Sequence, residues 1–391
     1  MNRSMSSPEE NKTLPEQLKD LPEGVPPLSA FYLYMTTGCN LFCQHCWITP
    51  KLVNGEPSPG DCINLNHLKA AVKEAKPLGL LRAKLTGGEP LLHPQFRGIL
   101  DFLSGEDIKL TMETNALLMT AELARYMKEN STMWFVSTSL DSHRPEFHDH
   151  FRGLQGAFER TVRGIDYLVN AGYHPQIIMC PHKANLDDVE EVIKLAVSLG
   201  AGSVKFNPVT PTGRGKKMTA DGKTLDFKEH LELLRRIRGE LAEKYEIPLY
   251  ISMPPALSTI GELVNVCHGG GRCNVCNILG ILGGGEMALC GIGRNIPELC
   301  FGQLGRDSLR EVWINNSTLC KLRLDLNGDY PGLCGDCIHS HRCQTECVAI
   351  NYALYGELVH PYYLCEEALA LGMFPDTRRR SFFKVRNEMD D

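Results

Sequence analysis

Short apolar runs alternate with longer amphipathic stretches from residue 31 to residue 206. Phe31–Met35, Arg82–Leu85, Ile108–Met112, Met133–Leu140, Gln176–Met179 and Ser203–Phe206 read as strands. The intervening Asn64–Lys76, Pro94–Leu103, Ala121–Lys128, Gly156–Asn170 and Leu186–Leu199 read as helices. Strands and helices alternating at this spacing predict parallel βαβ units. Six such units make an α/β fold, a partial (β/α)6 TIM-like barrel. In parallel barrels chemistry gathers at the C-terminal ends of the strands, and the polar motifs of this chain follow strands. Asn207–Thr224 is a Pro/Gly-rich loop, and Phe227–Tyr245 predicts a strongly amphipathic helix. Beyond Pro254 the chain turns rich in Cys, Gly and turn residues, which puts a domain boundary near residues 253–262. The expected organisation is an arm over 1–27, a barrel over 28–255, a cysteine-rich domain over 256–370 and a tail over 371–391.

Composition narrows the function. Among 391 residues, 41 Lys+Arg against 47 Asp+Glu give a net charge of −6, and the densest basic run is Arg378–Arg380. Nucleic acid is therefore not expected as a partner. There is no apolar signal segment and no stretch of membrane-spanning length, so a cytoplasmic protein without a membrane partner is expected. The chain has 16 cysteines. In such a compartment they read as metal ligands before disulfides. Cys62 and Cys180 stand alone and read as packing residues.

Three thiols lie close together in Thr37-Gly38-Cys39-Asn40-Leu41-Phe42-Cys43-Gln44-His45-Cys46, directly after the first strand. A closed structural zinc or iron–sulfur site takes four protein ligands. Three thiolates without a fourth nearby fit a [4Fe-4S] cluster with one open iron, the alternative being a zinc knuckle completed from a distance. This C-x3-C-x2-C spacing, with Gly87-Gly88-Glu89-Pro90 after the second strand, resembles the radical S-adenosylmethionine (SAM) family. The resemblance implies a cluster on Cys39, Cys43 and Cys46, with SAM chelated at its open iron. It further implies reductive cleavage to a 5′-deoxyadenosyl radical that removes a hydrogen atom from a substrate. Gly87, Gly88 and Glu89 would receive the methionine amino group. His45 would lie next to adenine, Asn115 and Glu113 near the ribose, Ser139 and Asp141 at the end of the fourth strand, and Arg152 on the SAM carboxylate. No catalytic side chain is assigned.

Eleven of the cysteines fall between Cys267 and Cys365. Cys334-x2-Cys337-x5-Cys343-x3-Cys347-x17-Cys365, preceded by Cys267-x5-Cys273 and Gly285-x4-Cys290, resembles the SPASM domain of peptide-modifying radical SAM enzymes. The resemblance implies two auxiliary [4Fe-4S] clusters, one on Cys267, Cys273, Cys290 and Cys347, the other on Cys334, Cys337, Cys343 and Cys365. Cys276 could replace Cys267 or Cys273, while Cys300 and Cys320 stay unassigned. Zinc pairs are the alternative for these thiols. Sulfatase-maturing relatives carry an aspartate after the cysteine equivalent to Cys290, where this chain has Gly291. The expected substrate is a precursor peptide, to be crosslinked, epimerised or oxidised. The expected electron donor is flavodoxin or ferredoxin. A separate leader-peptide-binding protein is a candidate partner, since some 27 residues precede the first strand. A haem precursor or metal cofactor is the alternative substrate, with Arg152, Arg163 and Arg214 as candidate carboxylate partners.

Overall fold

A computed structural model describes residues 21–50, 58–264 and 274–383. All ten strands of the described residues join one sheet, in the order β10-β9-β8-β1-β2-β3-β4-β5-β6-β7. The strands are β1 Ala30–Tyr34, β2 Arg82–Thr86, β3 Lys109–Thr114, β4 Met133–Ser139, β5 Gln176–Met179, β6 Ser203–Phe206, β7 Leu249–Ile251, β8 Ile278–Ile281, β9 Glu286–Ala288 and β10 Cys300–Gln303. Strands β1 to β7 run parallel, and β8 pairs in parallel with the other edge of β1 through Ala30↔Ile278 to Leu33↔Ile281. The cysteine-rich region therefore extends the barrel sheet through β8 and the antiparallel β9 and β10.

The barrel helices are α1 Leu65–Ala75, α2 Phe96–Gly105, α3 Ala121–Asn130, α4 Pro145–Arg152, α5 Ala157–Asn170 and α6 Val189–Ser198; α7 Gly215–Ala220 and α8 Phe227–Arg236 follow β6. Local chemistry fixes their ends. The Asn64 side chain accepts from the Asn66 and His67 N–H groups at the start of α1, as an N-cap should. Asp226 and Glu229 form a reciprocal capping box on α8. Buried Phe31, Leu33, Leu68, Leu85 and Leu110 pack the β1–β3 side of the core, which continues to Trp313 in the C-terminal region. A second cluster around Ile177, Val192, Phe206 and Leu234 fills the β5–β7 side.

Three elements differ from expectation. Helix α4 forms over the polar run 145–152, with Pro145 at its first turn and Gly153 left-handed at its end. The expected helix over 227–245 continues past α8 as a π turn at Ile237–Leu241. The three-residue β7 adds a seventh parallel strand. Beyond residue 370, Arg379 pairs with Asp336 at 2.8 Å and bridges to Cys337, so this segment packs on the cysteine-rich region. Among the described residues, no helix is long and apolar enough to cross a membrane.

Candidate active site

The C-terminal ends of β1 to β6 open into one cleft of about 420 Å³. Its lining includes Cys39, Cys43, Cys46, His45, Gly87, Gly88, Glu89, Asn115, Ser139 and Arg152, together with Cys290 and Cys347. Residues far apart in the chain thus meet because each follows a parallel strand or belongs to the adjoining C-terminal region.

The loop carrying the three thiols is held by backbone contacts too close for side chains. A Cβ on Gly88 would fall 1.5 Å from the Gly38 carbonyl oxygen, and one on Gly38 would fall 1.6 Å from that of Ser58. Glu89 N–H donates to the Gly38 carbonyl at 3.0 Å, and Gly88 N–H to that of Thr36 at 3.2 Å. The Glu89 carboxylate, 1% exposed, accepts from Thr114 Oγ1 at 2.6 Å, Asn115 N–H at 2.9 Å and Leu91 N–H at 3.1 Å. Burial pushes its pKa up to about 7 although these three bonds oppose the rise. Its carboxylate therefore ties the end of β2 to that of β3.

The thiols are supplied with donors. Leu41 N–H and Asn115 Nδ2 point to Cys39 Sγ at 3.4 and 3.8 Å, and Arg152 Nη1 to Cys43 Sγ at 3.6 Å. Burial raises the pKa of Cys39, and the charges of Cys43, Glu89 and Cys46 raise it further. Among the described residues, no three Cys, His, Asp or Glu side chains converge on a single metal ion. Three neighbouring thiols with N–H donors aimed at two of the sulfurs fit a thiolate-held cluster.

Arg152 enters from the end of α4. Its Nε donates to Asp141 Oδ2 at 2.5 Å, while Nη2 is buried without a partner among the described residues. Burial alone would raise the Asp141 pKa, but the Arg152 guanidinium wins and holds it at about 2. His45 stacks on Phe151 at 4.6 Å, and Phe151 on His182 at 4.4 Å. Burial lowers the His45 pKa to about 3, so its ring is neutral. Ser139 lines the cleft, and Asn115 also donates to Asn40 Oδ1 at 2.6 Å. Glu113 is paired with Lys84 at 3.1 Å and accepts from Thr86. Cys180, read as a packing residue, also lines the cleft.

The C-terminal thiols fall into two groups. Cys365 lies among Cys343, Cys334 and Cys337, whose charges add to burial in raising its pKa. Cys290 and Cys347 interact with one another and line the cleft. The C-x3-C step divides them: Gln344, Thr345 and Glu346 are all left-handed, with φ of 51°, 63° and 63°. Such a turn costs non-glycine residues roughly 1–2 kcal/mol each. It sends Cys343 to one group and Cys347 to the other. Cys267 and Cys273 lie outside the described residues, and Cys276 lies beside Arg323 with Cys320. Gly291 has a steric cause, since a Cβ there would fall 2.3 Å from the Tyr34 ring. Tyr34 thus fills the space of an aspartate following Cys290, a pairing invisible in a sequence that separates the two by most of the chain.

The radical SAM superfamily profile matches residues 33–196, the segment that supplies the end of β1, β2 to β5 and the three thiols. Residues 33–196 are thus a radical SAM domain. It is 28% identical over 351 residues to the AdoMet-dependent heme synthase of Methanosarcina barkeri (strain Fusaro / DSM 804), spanning 85% of this chain and 94% of that protein. It is 27% identical to the mycofactocin maturase MftC of Mycobacterium tuberculosis (strain ATCC 25618 / H37Rv), over 81% of this chain and 78% of the relative. Its fold superposes on Streptococcus suis SuiB bound to the precursor peptide SuiA with a TM-score of 0.68 at 16% identity, covering 88% of this chain and 76% of SuiB. The α/β parallel-sheet fold is that typical of a radical SAM partial barrel, and the cysteine-rich C-terminal region is consistent with a SPASM domain.

Proposed function

We propose that this enzyme modifies a ribosomally made peptide by hydrogen-atom abstraction, using a [4Fe-4S] cluster on Cys39, Cys43 and Cys46 and two auxiliary clusters. When bound, the first cluster and SAM supply the electron transfer that breaks the S–C5′ bond and yields a radical able to take hydrogen from carbon. Gly87 and Gly88 bring backbone to the ligand, Arg152 Nη2 offers a donor to its carboxylate, and neutral His45 offers a flat face to its adenine. Apolar walls, including Ile48, Ile178, Ile292 and Ile350, limit water in the cleft. Cys290 with Cys347, joined by Cys267 and Cys273, would hold one auxiliary cluster. Cys334, Cys337, Cys343 and Cys365 would hold the other, and flavodoxin or ferredoxin would deliver electrons. The product would be a crosslinked, epimerised or oxidised peptide, with a separate protein assisting leader recognition.

The observation that carries this reading is the shared cleft. Cys290 and Cys347 face the space bounded by Gly87–Glu89 and the three N-terminal thiols. A substrate there would meet the site of hydrogen removal and, if Cys290 and Cys347 hold a cluster, an electron acceptor. SuiB, of like fold, is known with its precursor peptide, and the mycofactocin maturase is similar across most of both chains.

The second reading is action on a haem precursor, favoured by similarity across 94% of the archaeal heme synthase. A tetrapyrrole would bring several carboxylates. Of the three arginines considered from sequence, Arg163 is exposed on α5 and not part of the cleft lining, Arg152 is the one proposed for the SAM carboxylate, and Arg214 lines the cleft. The test is anaerobic reconstitution, then incubation with SAM, reductant and either small peptides encoded beside the gene or iron–coproporphyrin, read by mass spectrometry. A mass change confined to a peptide is the expected result; a mass change of the porphyrin alone would overturn the peptide reading.

A further inference from the structure

Arg214 is the cleft's least satisfied charge. Arg152 is paired with Asp141 and Glu113 with Lys84, while Glu89 accepts three hydrogen bonds. The Nε and both Nη atoms of Arg214 are buried, and none has a hydrogen-bond partner among the described residues. Its guanidinium lies 4.1 Å from the centre of the Phe42 ring, which orients it by stacking. Its backbone is also fixed: Arg214 N–H donates to the Cys46 carbonyl at 3.1 Å. Gly213, with φ +53°, passes so close to Trp47 that a Cβ would fall 2.3 Å from its carbonyl oxygen. Asn295 of the C-terminal region donates to that same carbonyl. The side chain is thus built into the junction of thiol loop, β6 loop and cysteine-rich region.

That junction has two sides. Arg214 and Ile292 line both the SAM cleft and a second, more open groove of about 610 Å³ formed with Thr49, Lys216, Asn295 and Tyr352. Lys216 adds a positive charge to that groove, and Glu298 is its acidic member. The guanidinium therefore stands between the groove and the cleft. A planar fork of buried, unpaired donors suits a carboxylate, which can satisfy two at once.

We propose that Arg214 is a specificity-determining residue that pairs with a carboxylate of the substrate at the inner end of this groove. The inference rests on the hydrogen-abstraction reading above. The carboxylate can belong to an acidic peptide residue or to a tetrapyrrole propionate, and the test separates these sources.

The probes are two matched pairs: fluorescent nonapeptide amides differing only in a central Glu or Gln, and coproporphyrin III with its tetramethyl ester. Each is titrated against the anaerobically reconstituted, SAM-loaded enzyme. The carboxylate member of one pair is expected to bind about tenfold tighter, as charged hydrogen bonds allow. Arg214→Met is expected to erase that preference, Arg214→Lys to retain part of it, and the SAM dissociation constant to stay within about twofold in both. Preference in the porphyrin pair alone would keep the role of Arg214 and overturn the peptide reading. No preference in either pair, or retention of a preference by Arg214→Met, would overturn the inference. So would a tenfold loss of SAM affinity in Arg214→Met, which would place the guanidinium on SAM itself.

Discussion

At the residue scale, the thiol loop stood out because its three cysteines lie in one short run. Side chains that satisfy one another across the barrel were not. The sequence reading placed Glu89 at the methionine amino group; it did not show that the same carboxylate accepts from Thr114, Asn115 and Leu91. Glu89→Gln would replace one acceptor oxygen by an NH2 group and set donor against donor. Such a loss is expected to cost about 1–3 kcal/mol, measured by anaerobic chemical denaturation. Asp141 is fully buried, and Asp141→Asn would leave Arg152 without its counter-charge. Breaking a buried pair in this way is expected to cost about 3–5 kcal/mol, whereas Asp141→Glu is expected to cost less. The low Asp141 pKa also gives a sign: its stabilisation is complete above the ordinary carboxylate range and fades as pH falls through about 2.

At the element scale, six of the seven parallel strands β1 to β7 were evident from apolar runs bounded by turns. Two features escaped. Helix α4, Pro-Glu-Phe-His-Asp-His-Phe-Arg, has too few apolar positions for its period to show, and is held instead by buried His148, Phe151 and Arg152. Strand β7 has only three residues and is defined by its pairing with β6. Two buried histidines make α4 and α8 sensitive to acid. Burial lowers the pKa of His148 in α4 and His230 in α8 to about 4 each. Both are neutral in the fold, so their contribution is present above pH of about 6.5 and lost as pH falls toward 4. Unfolding midpoints are expected to drop between pH 7 and pH 5, and His230→Gln is expected to flatten part of that dependence. An equal slope in the variant would remove His230 from the account.

At the scale of the whole molecule, the change in composition near residue 254 was visible, but the continuity of the sheet across it was not. Nothing local announces that Ile278–Ile281 will pair with the strand that precedes the thiol loop. The consequence is that β1 is a central strand, flanked by β2 and β8. Truncation after residue 255 would bare one edge of β1 and the apolar surface that meets Leu279, Ile281 and Trp313. Such a fragment is expected to aggregate or fail to fold, judged by size-exclusion chromatography and circular dichroism; a soluble monomer with native helix content would contradict this. The same continuity places Cys290 and Cys347 at the mouth of the SAM cleft. The central claim is that Cys39, Cys43 and Cys46 hold a cluster whose remaining iron is free to bind SAM. Its most direct measurement is electron paramagnetic resonance of the anaerobically reduced enzyme, with and without SAM, in a variant lacking the proposed auxiliary ligands Cys290, Cys347, Cys334 and Cys365. A cluster signal that shifts on adding SAM, and is absent when the three N-terminal cysteines are replaced by alanine, is predicted; a signal indifferent to SAM would contradict the account.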